Sequence, residues 1–269
     1  VGREEALQHF WENEVPKRTI ARLHALDAYY RAEKERLVQP FLRSFDEICQ
    51  RMAAMQQQGK KGKMAYLTYS MLRTELLSGS NHYLLEATDS RWFFDPVECQ
   101  AVYDASWAFR FLDELAAEWT EAARAYAGQI GPAEIERIKL VQAEKFHQYV
   151  VSLGRYALQQ VDSVEAFWQV EKEDELEVRV GEYLDQSEIV YCRDVRPKDS
   201  QQIRAWLEEG LEQEYGYKVL AGLDLAKGQF AGIDLRYADL GNSRLSGANL
   251  RESVLVGTRC VRTELNEAD

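Results

Sequence analysis

Near the end of the chain a bulky apolar side chain returns at every fifth position: Leu225, Phe230, Leu235, Leu240, Leu245, Leu250, Leu255, then Cys260 and Leu265. Two residues before each stands something usually small, namely Gly228, Ala238, Ser243, Ala248, Ser253, Thr258 and Thr263, with Leu223 and Ile233 as larger exceptions. On an α-helix five steps turn the chain about 500°, so successive members fall roughly 140° apart and smear around the cylinder. On a flat strand an odd interval alternates faces and sends half of the leucines into water. The interval is satisfied if the chain turns a corner every five residues and winds as a coil with its leucines inside. That arrangement is a solenoid, a class that binds or displays more often than it catalyses.

Upstream the periodicity is different. Residues 4–14 and 17–58 carry helical spacing, the second stretch broken or kinked at Pro40. Gly59–Lys63 reads as a loop and residues 64–78 as a further helix, while residues 81–94 (NHYLLEATDSRWFF) read as a hairpin or an irregular aromatic loop. Asp95-Pro96-Val97-Glu98 has the form of a helix start, with a capping aspartate, a first-turn proline and an acid that reaches back. The helix expected from it runs to Tyr126 and stops at Gly128, and Gly131-Pro132 opens a partner whose apolar face includes Ile135, Ile138, Phe146, Tyr149, Val150 and Leu153. After Val170, the segments 178–180 and 189–191 read as a short hairpin about residues 185–187. Asp199 and Gln202 mark a last helix, reaching Glu214, that covers the first turn of the coil. The fold class expected is therefore multi-domain, α plus β: a helical bundle over residues 1–170, a hairpin-and-helix adaptor over 171–217, and the coil over 218–269.

The stretch DLRYADLGNSRLSGANLRES closely resembles the pentapeptide-repeat family, whose units read A-(D/N)-L-x-x, and Ala238-Asp239-Leu240 and Ala248-Asn249-Leu250 match that core directly. The resemblance covers residues 218–269, less than a fifth of the chain. It implies a right-handed, four-sided β-helix with the central apolar residue and the small residue two before it both pointing inward. It also brings an alternative role, because some relatives imitate duplex DNA and so protect or inhibit DNA gyrase, a topoisomerase. Ala268 and Asp269 fit the two slots before another central residue, so the natural coil is expected to continue; Val1 in place of Met leaves room for sequence upstream.

Composition constrains function further. Net charge is −12. Residues 221–269 hold six bases against seven acids, a net of −1, which leaves −11 for the first 220 residues. An acidic surface of this kind disfavours nucleic acid and anionic membranes as direct partners. The coil itself is close to neutral: if residues twenty apart stack, Asp224, Arg244 and Glu264 form one outward column and Asp239 lies beneath Arg259, so sign alternates along the columns. Residues 223–269 make only about two and a third turns, on the order of 11 Å of rod at strand spacing. One turn of duplex spans about 34 Å, so a mimic would need a longer coil. No apolar run approaches the roughly 18 residues of a membrane span. The four cysteines (Cys49, Cys99, Cys192, Cys260) are far apart, and they read as buried small hydrophobes in a reducing compartment, with cytoplasm the expected location.

No catalytic constellation is apparent. Glu144-Lys-Phe-His147 has the E-x-x-H spacing of di-iron carboxylate bundles, but such sites need two such pairs and further glutamates. His147 reads instead as a boundary residue beside Phe146. His24 and Asp27 share a helix face without a third partner, and the Lys60-Lys61-Lys63 cluster reads as a solvated loop. Trp92, Phe93, Phe94, Trp107 and Trp119 read as core aromatics, with a ligand groove lined by Tyr83, Trp92 and Phe93 as the alternative. The expectation is a non-enzymatic interaction protein without metal or cofactor. Its coil would be a rigid platform for an unidentified protein partner, and the helical part a source of specificity or of homodimerisation. Arg236, Tyr237, Arg251 and Glu252, outward on adjacent sides of the coil, are the candidate contact surface.

Overall fold

The computed structural model describes residues 2–210 and 215–269, which form two compact units. The first comprises the residues up to 173 together with 178–190, and the second comprises residues 174–177 and 191–269.

The first unit opens with α1 (Arg3–Asn13) and α2 (Val15–Gln57). The helix α2 is continuous through Pro40, so of the break or kink expected there the break does not occur. Proline removes only the bond to the carbonyl four residues back, and the apolar stripe Leu37, Val38, Phe41, Leu42, Phe45, Ile48, Cys49 and Met52 stays buried on both sides of it.

Where a third helix was expected, the chain instead forms β1 (Met64–Met71) followed by the single turn α3 (Arg73–Ser78). Then come β2 (His82–Thr88), a 3-10 turn at Trp92–Phe94, β3 (Gln100–Asp104), α4 (Ser106–Ala123), α5 (Pro132–Ala157), a 3-10 segment Leu158–Ser163, α6 (Glu165–Gln169), β4 (Lys172–Glu182) and β5 (Ser187–Asp194). The strands make one sheet in the order β3-β2-β1-β4-β5. The pairs β1–β2 and β2–β3 are antiparallel. Met64 N donates to Glu171 O and Tyr183 N to Met71 O, so β1 and β4 run in the same direction and the sheet is mixed.

The N-terminal region is thus not a helical bundle: helices pack on a mixed sheet. The strand β1 is central, and all of its residues except Tyr66 are buried, so the alternation that betrays a half-exposed strand is missing. The start signal at Asp95 also serves another purpose. Asp95 begins no helix; its carboxylate accepts from the backbone N of Asp89 and Val97 and pairs with Lys61, which also donates to Val97 O. Both side chains are only 1% exposed, so Lys61 is not the solvated loop residue its neighbours suggested. Burial pushes the Asp95 carboxyl up, but Lys61 and the two backbone donors outweigh it and hold the group below the usual carboxylate range.

Aromatic rings fill the space between sheet and helices: Phe41 of α2 stacks on Tyr69 at 4.6 Å and meets Tyr103 edge-on at 5.3 Å. The helix α5 comes close to the sheet because it carries Gly154. A Cβ there would stand 3.3 Å from Phe41 Cζ and 3.4 Å from Val180 and Val190. Gly131 N donates to Glu134 at 2.8 Å, closing the first turn of α5 where Gly131-Pro132 announces it.

The second unit contains α7 (Ser200–Glu208) and the C-terminal coil. Asp199 caps α7 by accepting from the backbone N of Gln201 and Gln202. The helix ends at Glu208; part of the longer helix expected, residues 211–214, lies outside the described residues.

Candidate functional site: the outer surface of the coil

From residue 217 onward the backbone repeats every five residues. A left-handed residue stands at each fifth position: Tyr217, Gly222, Lys227, Gly232, Tyr237, Asn242, Gly247, Glu252, Gly257, Arg262 and Glu267. The non-glycine members have φ between 56° and 63°, a region that ordinary residues rarely occupy and that here makes each corner. Parallel one-residue bridges join Val219 to Asp239, Asp224 to Arg244, Gln229 to Asn249, Asp234 to Val254, Asp239 to Arg259 and Arg244 to Glu264. Each bridge spans twenty residues, so four five-residue segments complete one turn. Backbone bonds repeat in the same register: Leu225 N to Arg244 O, Phe230 N to Asn249 O, Leu235 N to Val254 O and Leu240 N to Arg259 O, all 2.8–2.9 Å.

The interior follows from this register. Leu225, Phe230, Leu235, Leu240 and Leu245 are buried, as are Leu223, Ile233, Ala238, Ser243 and Ala248 beside them. Phe230 is larger than its neighbours in the series, and its ring takes the room of the preceding small residue. A Cβ on Gly228 would fall 2.0 Å from Phe230 Cζ, so glycine is needed there. Hydroxyls in the small slots bond to the turn before. Ser243, Ser253, Thr258 and Thr263 donate to the carbonyls of Leu220, Phe230, Leu235 and Leu240 at 2.6–2.8 Å.

The first turn is covered by α7. Ile203, Trp206 and Leu207 pack on the apolar interior with Tyr215, whose hydroxyl donates to Trp206 O at 2.7 Å. Side chains of α7 also supply bonds of the kind that a preceding turn would make. Asp224 N donates to Ser200 Oγ, Gln229 N donates to Glu208 Oε1, and Arg204 donates to the carbonyls of Ala226 and Lys227. The last turn is different. Leu250 is half-buried, Leu255 and Leu265 are each 43% exposed and Cys260 is exposed, although the spacing placed all four inside. Each rung is covered by the turn after it, and among the described residues nothing follows the last one. Cys260 is accordingly not the buried thiol expected; all four cysteines are free, with Cys49 and Cys99 buried.

Outside, the sides differ in character. On one, Arg244 pairs with Asp224 at 2.7 Å and Glu264 continues the column. On the next, Asn249 donates to Gln229 at 3.3 Å, and on a third Arg259 lies 3.5 Å from Asp239. The bond from Ala226 N and then the Arg244 guanidinium hold the Asp224 carboxyl below its usual range.

The remaining side bears Asp234 and Arg236 in one turn and Val254 and Val256 in the next. Arg236 is held back onto Asp234 at 2.5 Å. At its corner Tyr237 stacks on Tyr217 (5.2 Å, 19° between planes) and lies against Gly257, where a Cβ would stand 2.3 Å from the Tyr237 ring. Of the candidate contact residues, Arg236 and Tyr237 share this side. Glu252 occupies its other corner, and Arg251 lies on the adjacent side paired with Asp269. The reading by residue type did not single out Tyr217, Val254 or Val256. Adding or subtracting twenty from Tyr237, Asp234 and Arg236 would have found them.

The other candidates lie in the first unit. His147 is buried rather than at a boundary: its ring stacks on Tyr83 with Nδ1 2.7 Å from the phenol oxygen. Burial lowers its pKa below the ordinary 6.5, opposed by Glu144, Glu188 and Glu182 in that order. Glu144 accepts from Gln148, and no three His, Cys, Asp or Glu side chains among the described residues are grouped so that they could hold a metal ion. His24 is exposed, and Asp27 pairs with Arg31. Of the expected core aromatics only Trp119 is fully buried. Trp107 is half-buried, Trp92 stacks between Tyr66 and Phe93, and Phe93 and Phe94 are exposed because they lie in the loop between β2 and β3. Tyr83 is in the core and lines no groove with them. Among the described residues no helix is long and apolar enough to cross a membrane.

Residues 219–252 and 233–269 match the family of pentapeptide repeats, in eight copies. The match is confined to this C-terminal region. Neither a curated protein nor a solved structure matches the chain.

Proposed function

We propose that the C-terminal region is a right-handed, four-sided β-helix that serves as a rigid platform for a protein partner, and that the protein has no catalytic role of its own. The observation that carries this reading is the asymmetry of the coil's outer surface. On three sides one outward column is joined between successive turns by an ion pair or an amide contact, although Val261 is exposed on one of them. The side of Arg236 instead sets both Val254 and Val256 in the open between the Tyr217–Tyr237 stack and Glu252. Aliphatic and aromatic groups on a stiff frame make an economical contact surface, because little side-chain freedom remains to be lost on binding.

Alternation of sign along the columns favours such a platform over imitation of duplex DNA, which would need one long acidic stripe. A protein partner, and neither nucleic acid nor membrane, is therefore the reading we adopt. The test is affinity capture with the intact chain beside a variant in which Arg236, Tyr237, Arg251 and Glu252 are all replaced by alanine. Partners that disappear with the variant support the assignment; an unchanged set of partners removes it. A supercoiling assay with purified gyrase addresses the topoisomerase role, and inhibition or protection by the chain would replace the platform reading.

A further inference from the structure

Two features of the first unit differ in the sign of their exposed charge. The loop between β2 and β3 holds Phe93 and Phe94 in the open, 45% and 87% exposed, the latter the most exposed large apolar residue described. It is not a loose loop. Beneath it lies the buried Lys61–Asp95 pair, Asp95 also gathers the backbone N of Asp89 and Val97, and Trp92 is stacked on Tyr66 at 4.4 Å. The ion pair ties this loop to residues 59–63, whose Lys60 and Lys63 are exposed. A fixed aromatic knob with two ammonium groups on the adjoining loop is the result.

Between α2 and the segment that leads into α6 there is a cleft of about 550 Å³. Leu42, Val164 and Ala166, all buried, give it an apolar floor, and Asp46 and Glu165 place carboxylates on its walls. Arg43 stands beside Asp46, where a guanidinium can lie over the face of an inserted ring.

We infer that the Phe94 knob of one molecule seats in this cleft on a second copy, with Lys60 and Lys63 facing Asp46 and Glu165. Size permits it, since a cleft of this volume has room for the ring of Phe94 together with neighbouring residues of its loop. Charge favours it: beside the knob the exposed Lys60 and Lys63 outnumber Glu98, and in the cleft Asp46 and Glu165 outnumber Arg43, in a protein of net charge −12. Because knob and cleft are different patches, the contact is heterologous, and it propagates as a ring or an open chain instead of stopping at a symmetric dimer.

Sedimentation velocity on the full chain tests this directly. The wild type is expected to gain mass with concentration and to lose that gain at high salt. Phe94→Ala, which keeps the cleft, and Ser163→Trp, which fills the cleft from its exposed rim, are each expected to remain monomeric alone. Mixed together they should give a one-to-one heterodimer and nothing larger, because only one knob and one cleft remain. Should Ser163→Trp fail to fold, Glu165→Lys, an exposed change that repels the lysines, takes its place in the mixture. A wild type that stays monomeric at all concentrations overturns the inference. So does a Phe94→Ala variant that associates like wild type, or a mixture that forms no heterodimer.

Discussion

Gly228 and Phe230 show how the coil's period constrains individual residues. Each inward pair shares a fixed volume, and where the central member is phenylalanine the small member must give up its side chain. Gly228→Ala is expected to destabilise the coil by about 1–3 kcal/mol through overpacking. Combined with Phe230→Leu, the same change should cost clearly less than the sum of the two single changes. Urea denaturation of the four proteins gives the coupling directly, and additive losses would mean that ring and Cβ do not compete for one space. A second residue-scale effect belongs to His147. Its folded pKa lies below 6.5 because the buried ring resists charge. The unfolded chain therefore binds the proton more readily, so the stability this residue confers is full above about pH 6.5 and is lost as pH falls from there toward the folded value. Urea midpoints should drop between pH 7.5 and 5.5 in the wild type and drop less in His147→Gln. Equal slopes would show that the Tyr83–His147 contact is not desolvated in solution.

At the scale of elements, α7 completes a structure that cannot end bare. An exposed first turn would offer unpaired strand-edge groups and apolar side chains together. The helix answers the first with Ser200, Arg204 and Glu208, and the second with Trp206 and Leu207. Leu207→Ala is expected to cost about 2–5 kcal/mol, as buried leucine truncations do. Hydrogen exchange should locate the effect, with faster exchange at Leu225 and Phe230 N–H than in the middle of the coil. Uniform acceleration across the whole chain would instead assign Leu207 to global folding. This element was legible in the sequence because Asp199 caps it locally. Likewise α5 was legible from Gly131-Pro132, and the coil from an interval that no helix or strand can share. The strands β1 and β3 were not. A short central strand buried on both faces has no period of its own, and the four residues from Asp95 that announce a helix are engaged by Lys61, thirty-four positions earlier, a contact no local pattern encodes.

For the whole molecule, charge and contact character are divided along the chain. The first 220 residues carry nearly all of the net negative charge, and the coil, almost neutral, carries the side on which two outward valines, Val254 and Val256, stand exposed together. That side was only half visible beforehand. Arg236 and Tyr237 stand out as large outward residues, whereas Tyr217, Val254 and Val256 join them only once the twenty-residue turn is applied. The surface thus depends on the register, and the register is what most needs measurement. In a chain with Cys260→Ser, paired cysteines at Gln229 and Asn249, on neighbouring strands, should bring their Cβ atoms within about 5.5 Å and form a disulfide on mild oxidation. Cysteines at Gln229 and Arg244, fifteen residues apart and on different sides, should remain reduced. Efficient cross-linking of the second pair with none of the first would contradict the four-sided turn and the binding surface built on it.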